Sequence, residues 1–241
     1  MSPMLFSLTQ SALVQQSSSS SGTVEDALGV LQTILQYGGT VAFAISGALV
    51  ALRHRMDVVG VVLLGAIVAV GGGTIRDLLV QDPIFWIQSP GFIVVGVLTA
   101  LATIPLAKSG TIKALEQYNL ISMTDAAGLA LFVITGTNVA LSAGADDFAA
   151  AIIGVISGVG GGIIRDILAN KIPDVLTNGQ LYASAAFIGA ILYVLLLQTS
   201  LSPLVIVWIP IILIFVLRAL SILRGWGVPK FRLRRKNDPG L

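Results

Sequence analysis

Seven runs of about 20 mostly apolar residues, separated by short polar breaks, constrain this chain more than any other feature. They lie at roughly 33–52, 58–80, 91–107, 119–141, 148–169, 180–198 and 203–222. Each run is long enough to cross a bilayer as a helix, the form that satisfies every backbone group of a single segment without water. The breaks carry turn formers: Asp82-Pro83, Ser89-Pro90, Ser109-Gly110, Gly144-Ala145-Asp146-Asp147, Pro173-Asp174, Asn178-Gly179 and Ser202-Pro203. Composition points the same way. Only 11% of the residues are charged and the mean hydropathy is +0.92, whereas a soluble domain carries about a quarter charged residues. The sequence predicts an all-α membrane protein of seven transmembrane helices, with the lipid bilayer as its first partner.

Charge placement sets the expected orientation. With seven crossings, alternate loops and the C-terminus share one side. That side is read as holding Arg53, Arg55, Lys108, Lys113, Lys171, Arg218, Arg224, Lys230, Arg232, Arg234, Arg235 and Lys236. The opposite loops hold Glu25, Asp26, Asp82, Asp146 and Asp147 and no Lys or Arg. The expectation is a multi-pass plasma-membrane protein with its N-terminus outside and its C-terminus in the cytoplasm. The basic run Lys230 to Lys236 reads as an anchor against anionic headgroups rather than as a nucleic-acid contact. Residues 1–26, with Ser17 to Ser21, read as a disordered tail, because no basic segment precedes the short apolar stretch as a secretory signal requires.

Two stretches match at an offset of 89 residues. Gly71-Gly72-Gly73-Thr74-Ile75-Arg76-Asp77-Leu78-Leu79 aligns with Gly160-Gly161-Gly162-Ile163-Ile164-Arg165-Asp166-Ile167-Leu168. Upstream, Gly39 aligns with Gly128, Ser46-Gly47 with Thr135-Gly136, and the row Gly65, Ala69, Gly73 with Gly154, Gly158, Gly162. Each copy holds three spans. An odd number makes the second copy enter from the other side, so the chain reads as two inverted three-helix repeats, at 27–112 and 113–200. A seventh helix at 201–224 has no counterpart, and a basic tail covers 225–241.

Three glycines in succession cost about 1 kcal/mol each in helix propensity relative to Ala. They permit a kink, a close backbone approach, or free carbonyls facing a hydrated cavity. Tight packing in a small-residue seam is the competing reading. Arg76, Asp77, Arg165 and Asp166 are the leading functional candidates, because an ionised group within a span costs at least about 2.5–3.5 kcal/mol unless paired or hydrated. Adjacent helical residues point about 100° apart, so each Arg and its following Asp are expected to face different partners. Snorkelling to the interface is the alternative. Asp125 is either an inward carboxylate or an interfacial helix-start charge; its counterpart is the uncharged Gln36. His54, between Arg53 and Arg55, reads as solvated, and Trp86, Trp208 and Trp226 as interfacial or packing residues. With no Cys and one His, neither a metal site nor an acid–base set is expected, so the chain reads as a non-enzyme without cofactor.

The doubled G-G-G-x-I-R-D-[LI]-L, the 3+3+1 span plan and Phe43-Ala44-Ile45-Ser46-Gly47-Ala48 resemble the prokaryotic trimeric intracellular cation channel family. The same bacterial sequences are often labelled glycine transporters. The resemblance covers roughly residues 30 to 225 and implies a homotrimer with one hourglass pore per protomer. It implies that the second and fifth helices, kinked at Gly71 to Gly73 and Gly160 to Gly162, line that pore. The implied permeant species is a monovalent cation, chiefly K+. The family commonly has an acidic residue where this chain has Gln36, a departure from the family pattern. Hydroxyls of Ser46, Thr74, Ser122, Thr135 and Ser157 could replace hydration in such a pore. A carrier for a small neutral amino acid such as glycine is the alternative, with Arg76 or Arg165 holding the carboxylate. The candidate pathway is thus Gly71, Gly72, Gly73, Arg76, Asp77, Asp125, Gly160, Gly161, Gly162, Arg165, Asp166, Ser46 and Thr135.

Overall fold

The computed structural model describes residues 29–108, 119–177 and 181–226. The tail expected at 1–26, Lys113, the Asn178-Gly179 turn and the basic run Lys230 to Lys236 lie outside the described residues. Nine helices occur among the described residues: α1 Gly29–Arg53, α2 Val58–Val80, α3 Phe85–Gln88, α4 Gly91–Lys108, α5 Leu120–Ser142, α6 Asp147–Leu168, α7 Asp174–Thr177, α8 Ala183–Leu197 and α9 Pro203–Arg224. Five of these, α1, α2, α5, α6 and α9, are long and apolar enough to cross a membrane. The other two expected spans, α4 and α8, are shorter apolar helices.

The turns and caps recur with the 89-residue offset. Asp57 caps α2 by accepting from the Gly60 amide at 2.7 Å, and Asp146 caps α6 by accepting from the Phe148 amide at 3.0 Å. Each satisfies an amide that the first helical turn leaves without a partner. Arg55 and Gly144, one in each copy, both take a positive φ, of 57° and 86°. Beyond the long motif-bearing helices come the four-residue helices α3 and α7, again 89 residues apart.

The interior is assembled from reciprocal contacts between the copies. The Phe43 and Phe132 rings lie 5.4 Å apart and are fully buried. Gly128 leaves the space that Phe43 fills, at 2.7 Å from where a methyl would stand; Gly39 does the same for Phe132, at 2.6 Å. α1 and α5 run antiparallel, with Asn138 donating to Gln32 at 2.5 Å near one end and Ser46 donating to the Ile121 carbonyl at 3.3 Å near the other. α9 packs on α5 and α8, where Ile214 fills the space left by Gly189.

The glycine triplets lie within continuous helices: α2 and α6 each run as one α-helix through them. One sequence expectation is corrected here. Arg218, counted among loop cations, lies inside α9 with 2% of its surface exposed. A long guanidinium can face inward from an apolar helix where an aromatic ring and polar groups receive it, and the Tyr182 ring lies 4.2 Å from the Arg218 guanidinium carbon. His54 is exposed, as expected. Trp208 and Trp226 are 42% and 48% exposed, whereas Trp86 packs inward and donates to the Thr74 hydroxyl at 2.9 Å.

Candidate functional site

The two glycine triplets meet at the centre of the fold. A methyl on Gly72 would collide with the Ser157 carbonyl, and one on Gly161 would stand 3.1 Å from the Val68 carbonyl. Val68 and Ser157 are themselves counterparts, so α2 and α6 cross antiparallel in matched register. A methyl on Gly160 would stand 3.1 Å from the Gly72 Cα. All six triplet glycines are buried. Gly72, Gly160 and Gly161 allow the backbones to approach where no side chain fits, whereas Gly71, Gly73 and Gly162 leave room for the side chains of Ile164, Phe85 and Tyr182.

A cavity opens toward each end of α1. The first, of about 570 Å³, is lined by Arg53 at the end of α1, Arg55 just beyond it, Asn119 to Ser122 at the start of α5, and Arg165, Asp166, Lys171 and Asp174. The second, of about 510 Å³, is lined by Thr33, Gln36 and Tyr37 near the start of α1, Val139 near the end of α5, and Arg76, Asp77, Asp82 and Phe85. Several lining residues are counterparts, including Arg76 and Arg165, Asp77 and Asp166, Thr33 and Ser122, and Val50 and Val139. The glycine crossing and the Phe43–Phe132 pair belong to the packed core and line neither cavity.

Each cavity reaches an arginine–aspartate pair that is almost wholly buried. Arg76 donates to Asp77 Oδ1 from Nε, at 2.7 Å, with its Nη2 also 2.7 Å from that oxygen. Arg165 grips Asp166 Oδ1 in the same way, at 2.9 Å from both nitrogens. The expectation that neighbours in sequence would face different partners is therefore corrected. The angular separation applies to the Cα–Cβ bonds, and the guanidinium is long enough to fold back across it. The second carboxylate oxygen has its own task in both copies. Asp77 Oδ2 accepts from the Phe85 amide at 2.8 Å, and Asp166 Oδ2 accepts from the Asp174 amide at 3.0 Å. Each aspartate thus ties the end of a long helix to the first turn of the short helix that follows. Exposures of 1% for Arg76 and 3% for Arg165 exclude snorkelling.

Beyond this shared frame the copies differ. Arg165 Nη1 donates to Asp125 Oδ1 and to Ser46 Oγ, both at 2.7 Å. Asp125 Oδ2 accepts from the Tyr182 hydroxyl at 2.7 Å. Asp125 is therefore an inward carboxylate, 1% exposed. It links α5 to α6 and α8, while Ser46 brings in α1. Thr135, the counterpart of Ser46, instead donates to the Leu131 carbonyl of its own helix at 2.9 Å. Arg76 Nη1 has no hydrogen-bond partner among the described residues; the guanidinium carbon sits 5.3 Å from the Phe85 ring centre.

The expected hydroxyls differ in their surroundings. Ser122 lines the first cavity. Thr74, like Thr135, donates to a carbonyl one turn back, and Ser157 is buried with no partner for its hydroxyl among the described residues. The sequence reading missed Tyr182 and the inward face of Arg218. Tyr182 has no counterpart, since the matching position is Ile93, so the repeat could not flag it. Arg218 carries the signal already applied to Arg76, a cation within an apolar run. Among the described residues, no group of three or more His, Asp or Glu side chains is placed to hold a metal ion.

Comparison with known proteins bears on this arrangement. The sequence profile of the family described as Glycine transporter matches residues 33–118 and 122–198. The UPF0126 inner membrane protein YadS of Escherichia coli strain K12 is 46% identical over 167 residues, covering 69% of this chain and 79% of YadS. The UPF0126 membrane protein YvgT of Bacillus subtilis strain 168 is 34% identical over 207 residues, covering 85% and 98%. The crystal structure of the TRIC trimeric intracellular cation channel orthologue from Rhodobacter sphaeroides superimposes with a TM-score of 0.75 at 34% identity. That likeness covers 81% of this chain and 99% of the channel.

Proposed function

The chain belongs to the Glycine transporter family and shares the fold of prokaryotic TRIC cation channels, and on that premise we propose that it is a channel for monovalent cations, chiefly K+. In this reading all seven long or shorter apolar helices cross the plasma membrane. Residues 27–112 and 113–200 form two oppositely inserted repeats, and 201–224 and 225–241 add a seventh helix and a cytoplasmic tail. The chain assembles as a homotrimer, its Rhodobacter relative being named trimeric, with one pore per protomer lined by α2 and α6.

One observation carries the reading: two cavities at opposite ends of α1, each reaching a buried arginine–aspartate pair, with the α2–α6 glycine crossing between them. A path through the protomer that joins the cavities passes this crossing. Conduction then requires α2 and α6 to separate where only backbone now fits. The cavities offer carboxylates and hydroxyls at their walls, suited to weak multisite binding, and the sequence holds no TVGYG-type filter, so selectivity among monovalent cations is modest.

A second reading, transport of a small neutral amino acid such as glycine, is favoured by the family description and by the Arg76 donor that lacks a partner among the described residues. Reconstituted liposomes separate the two. A K+ flux driven by its own gradient and indifferent to glycine supports the channel. Saturable exchange of labelled glycine without ion conductance overturns it. In either assay Arg76→Ala or Arg165→Ala disturbs transport more than Arg53→Ala, and equal, negligible effects remove the motif from the pathway.

A further inference from the structure

We propose that the cavity beside Arg76 is a binding site for a small carboxylate, anchored by the Arg76 Nη1 atom. The protein carries its own template for such a complex. In both copies the guanidinium uses Nε and Nη2 to hold the aspartate that follows it. In the second copy the remaining nitrogen, Nη1 of Arg165, holds the Asp125 carboxylate at 2.7 Å. In the first copy the same nitrogen has no partner among the described residues, although Arg76 is only 1% exposed. The residue standing where Asp125 stands is Gln36, which brings no charge.

Arg165 thus has two carboxylates within reach and Arg76 has one. A desolvated guanidinium nitrogen without an acceptor is costly, and its strongest complement is a carboxylate oxygen. Gln36 and Arg76 both line the 510 Å³ cavity, while Nη1 itself is sealed from solvent, so a carboxylate entering from the cavity reaches Nη1 when a wall side chain such as Gln36 moves aside. Thr33, Tyr37 and Gln88 add uncharged polar walls, and Asp82 offers a partner for an ammonium. The site therefore fits a small carboxylate, with or without an amino group. The inference stands on the geometry of one half of the molecule and holds whether or not the protomer conducts K+.

The test uses the purified full-length chain in detergent, titrated with sodium acetate against sodium chloride at equal ionic strength. Thermal unfolding is followed by tryptophan fluorescence. Acetate raises the unfolding midpoint above that in chloride. Gln36→Glu supplies an internal carboxylate: it raises the midpoint in chloride and weakens the acetate response by about tenfold or more. Arg76→Lys keeps the charge, lacks Nη1 and loses the response; should that variant not fold, Gln36→Glu carries the test alone. Glycine in place of acetate distinguishes a zwitterion from a simple carboxylate, and a response to neither overturns the proposal. So does an acetate response that Gln36→Glu leaves intact, or one that chloride matches. Intact K+ flux beside an absent acetate response overturns this site and leaves the channel reading standing.

Discussion

The Arg165 half and the Arg76 half share one backbone plan and part company in their chemistry. Both bury an arginine against the next aspartate and tie that aspartate to the following short helix. In the Arg165 half the network then runs on through Asp125, Ser46 and Tyr182, joining α1, α5, α6 and α8. In the Arg76 half it stops at Asp77. Duplication preserves what the fold needs, such as glycines at close crossings and aspartates at helix ends. A single polar position, Asp125 against Gln36, separates a self-satisfied lock from an open donor.

The largest expected effect tests that lock. Asp125→Ala leaves Arg165 buried with one carboxylate fewer and strips Tyr182 of its acceptor, for a loss of about 3–5 kcal/mol, as expected when one partner of a buried ion pair is removed. Gln36→Ala, at the matching position, costs about 1 kcal/mol. Unfolding in detergent, followed by near-UV circular dichroism, gives both values. Equal losses would mean that the two halves are locked alike and would dissolve the comparison.

The glycine crossing gives the next effect, and it too is asymmetric. A methyl at Gly72 runs into the Ser157 backbone, which can yield only if the helices part, so Gly72→Ala costs about 1–3 kcal/mol. At Gly161 the new methyl meets the Val68 carbonyl at 3.1 Å and the Phe43 ring at 3.2 Å, a milder overlap that a small shift of the helices relieves, so the loss is nearer about 1 kcal/mol. Thermal midpoints of the two variants settle the order. A larger loss at Gly161 would mean that the crossing is not as tight at Gly72 as the geometry has it.

Much of this was legible in the sequence because lipid imposes a simple rule on helices. The expected span at 58–80 coincides with α2, and that at 148–169 differs from α6 by one residue at each end. The offset of 89 residues also picked out the positions that the fold brings together. What spacing could not convey was the path of a long side chain. It fixes where a Cβ points and says nothing of a guanidinium folding back onto its neighbour, so by spacing alone Arg76 and Asp77, like Arg165 and Asp166, look separate. Likewise, low helix propensity in a glycine triplet looks the same whether the helix opens or another helix presses against it. Only the presence of Ser157 and Val68 across the gap decides for packing. Tyr182 lies where the repeat fails, at a position matched by Ile93, so the 89-residue offset does not mark it.

Removing the Tyr182 hydroxyl has a smaller effect. Tyr182→Phe keeps the ring over Arg218 and deletes one hydrogen bond to an ionised acceptor, worth about 1.5 kcal/mol. Asp125 retains Arg165, so the lock weakens without opening. Denaturant unfolding of Tyr182→Phe, Asp125→Ala and the double variant provides a cycle. If the two losses simply add, Tyr182 does not act through Asp125, and the network ends earlier than the distances imply.

The smallest expected effect concerns the short helices, where the first copy has Phe85 and the second has Asp174. Phe85 sets a ring beside Arg76, whereas Asp174 brings a second carboxylate near Asp166. Burial first, and then repulsion from Asp166, push the Asp174 carboxyl above the ordinary aspartate range. The folded chain consequently holds this proton more tightly than the unfolded chain does. By linkage, Asp174 costs the fold most at pH values above its raised pKa. That cost fades as pH falls from there toward ~4, the ordinary aspartate value. Asp174→Asn keeps the backbone amide that Asp166 accepts and removes the titration. Its thermal midpoint therefore lies slightly above that of the parent chain near neutrality and converges with it on acidification. Parallel curves for the two proteins would mean that Asp174 feels no more than an ordinary surface carboxylate does, and that the two short helices differ in shape alone.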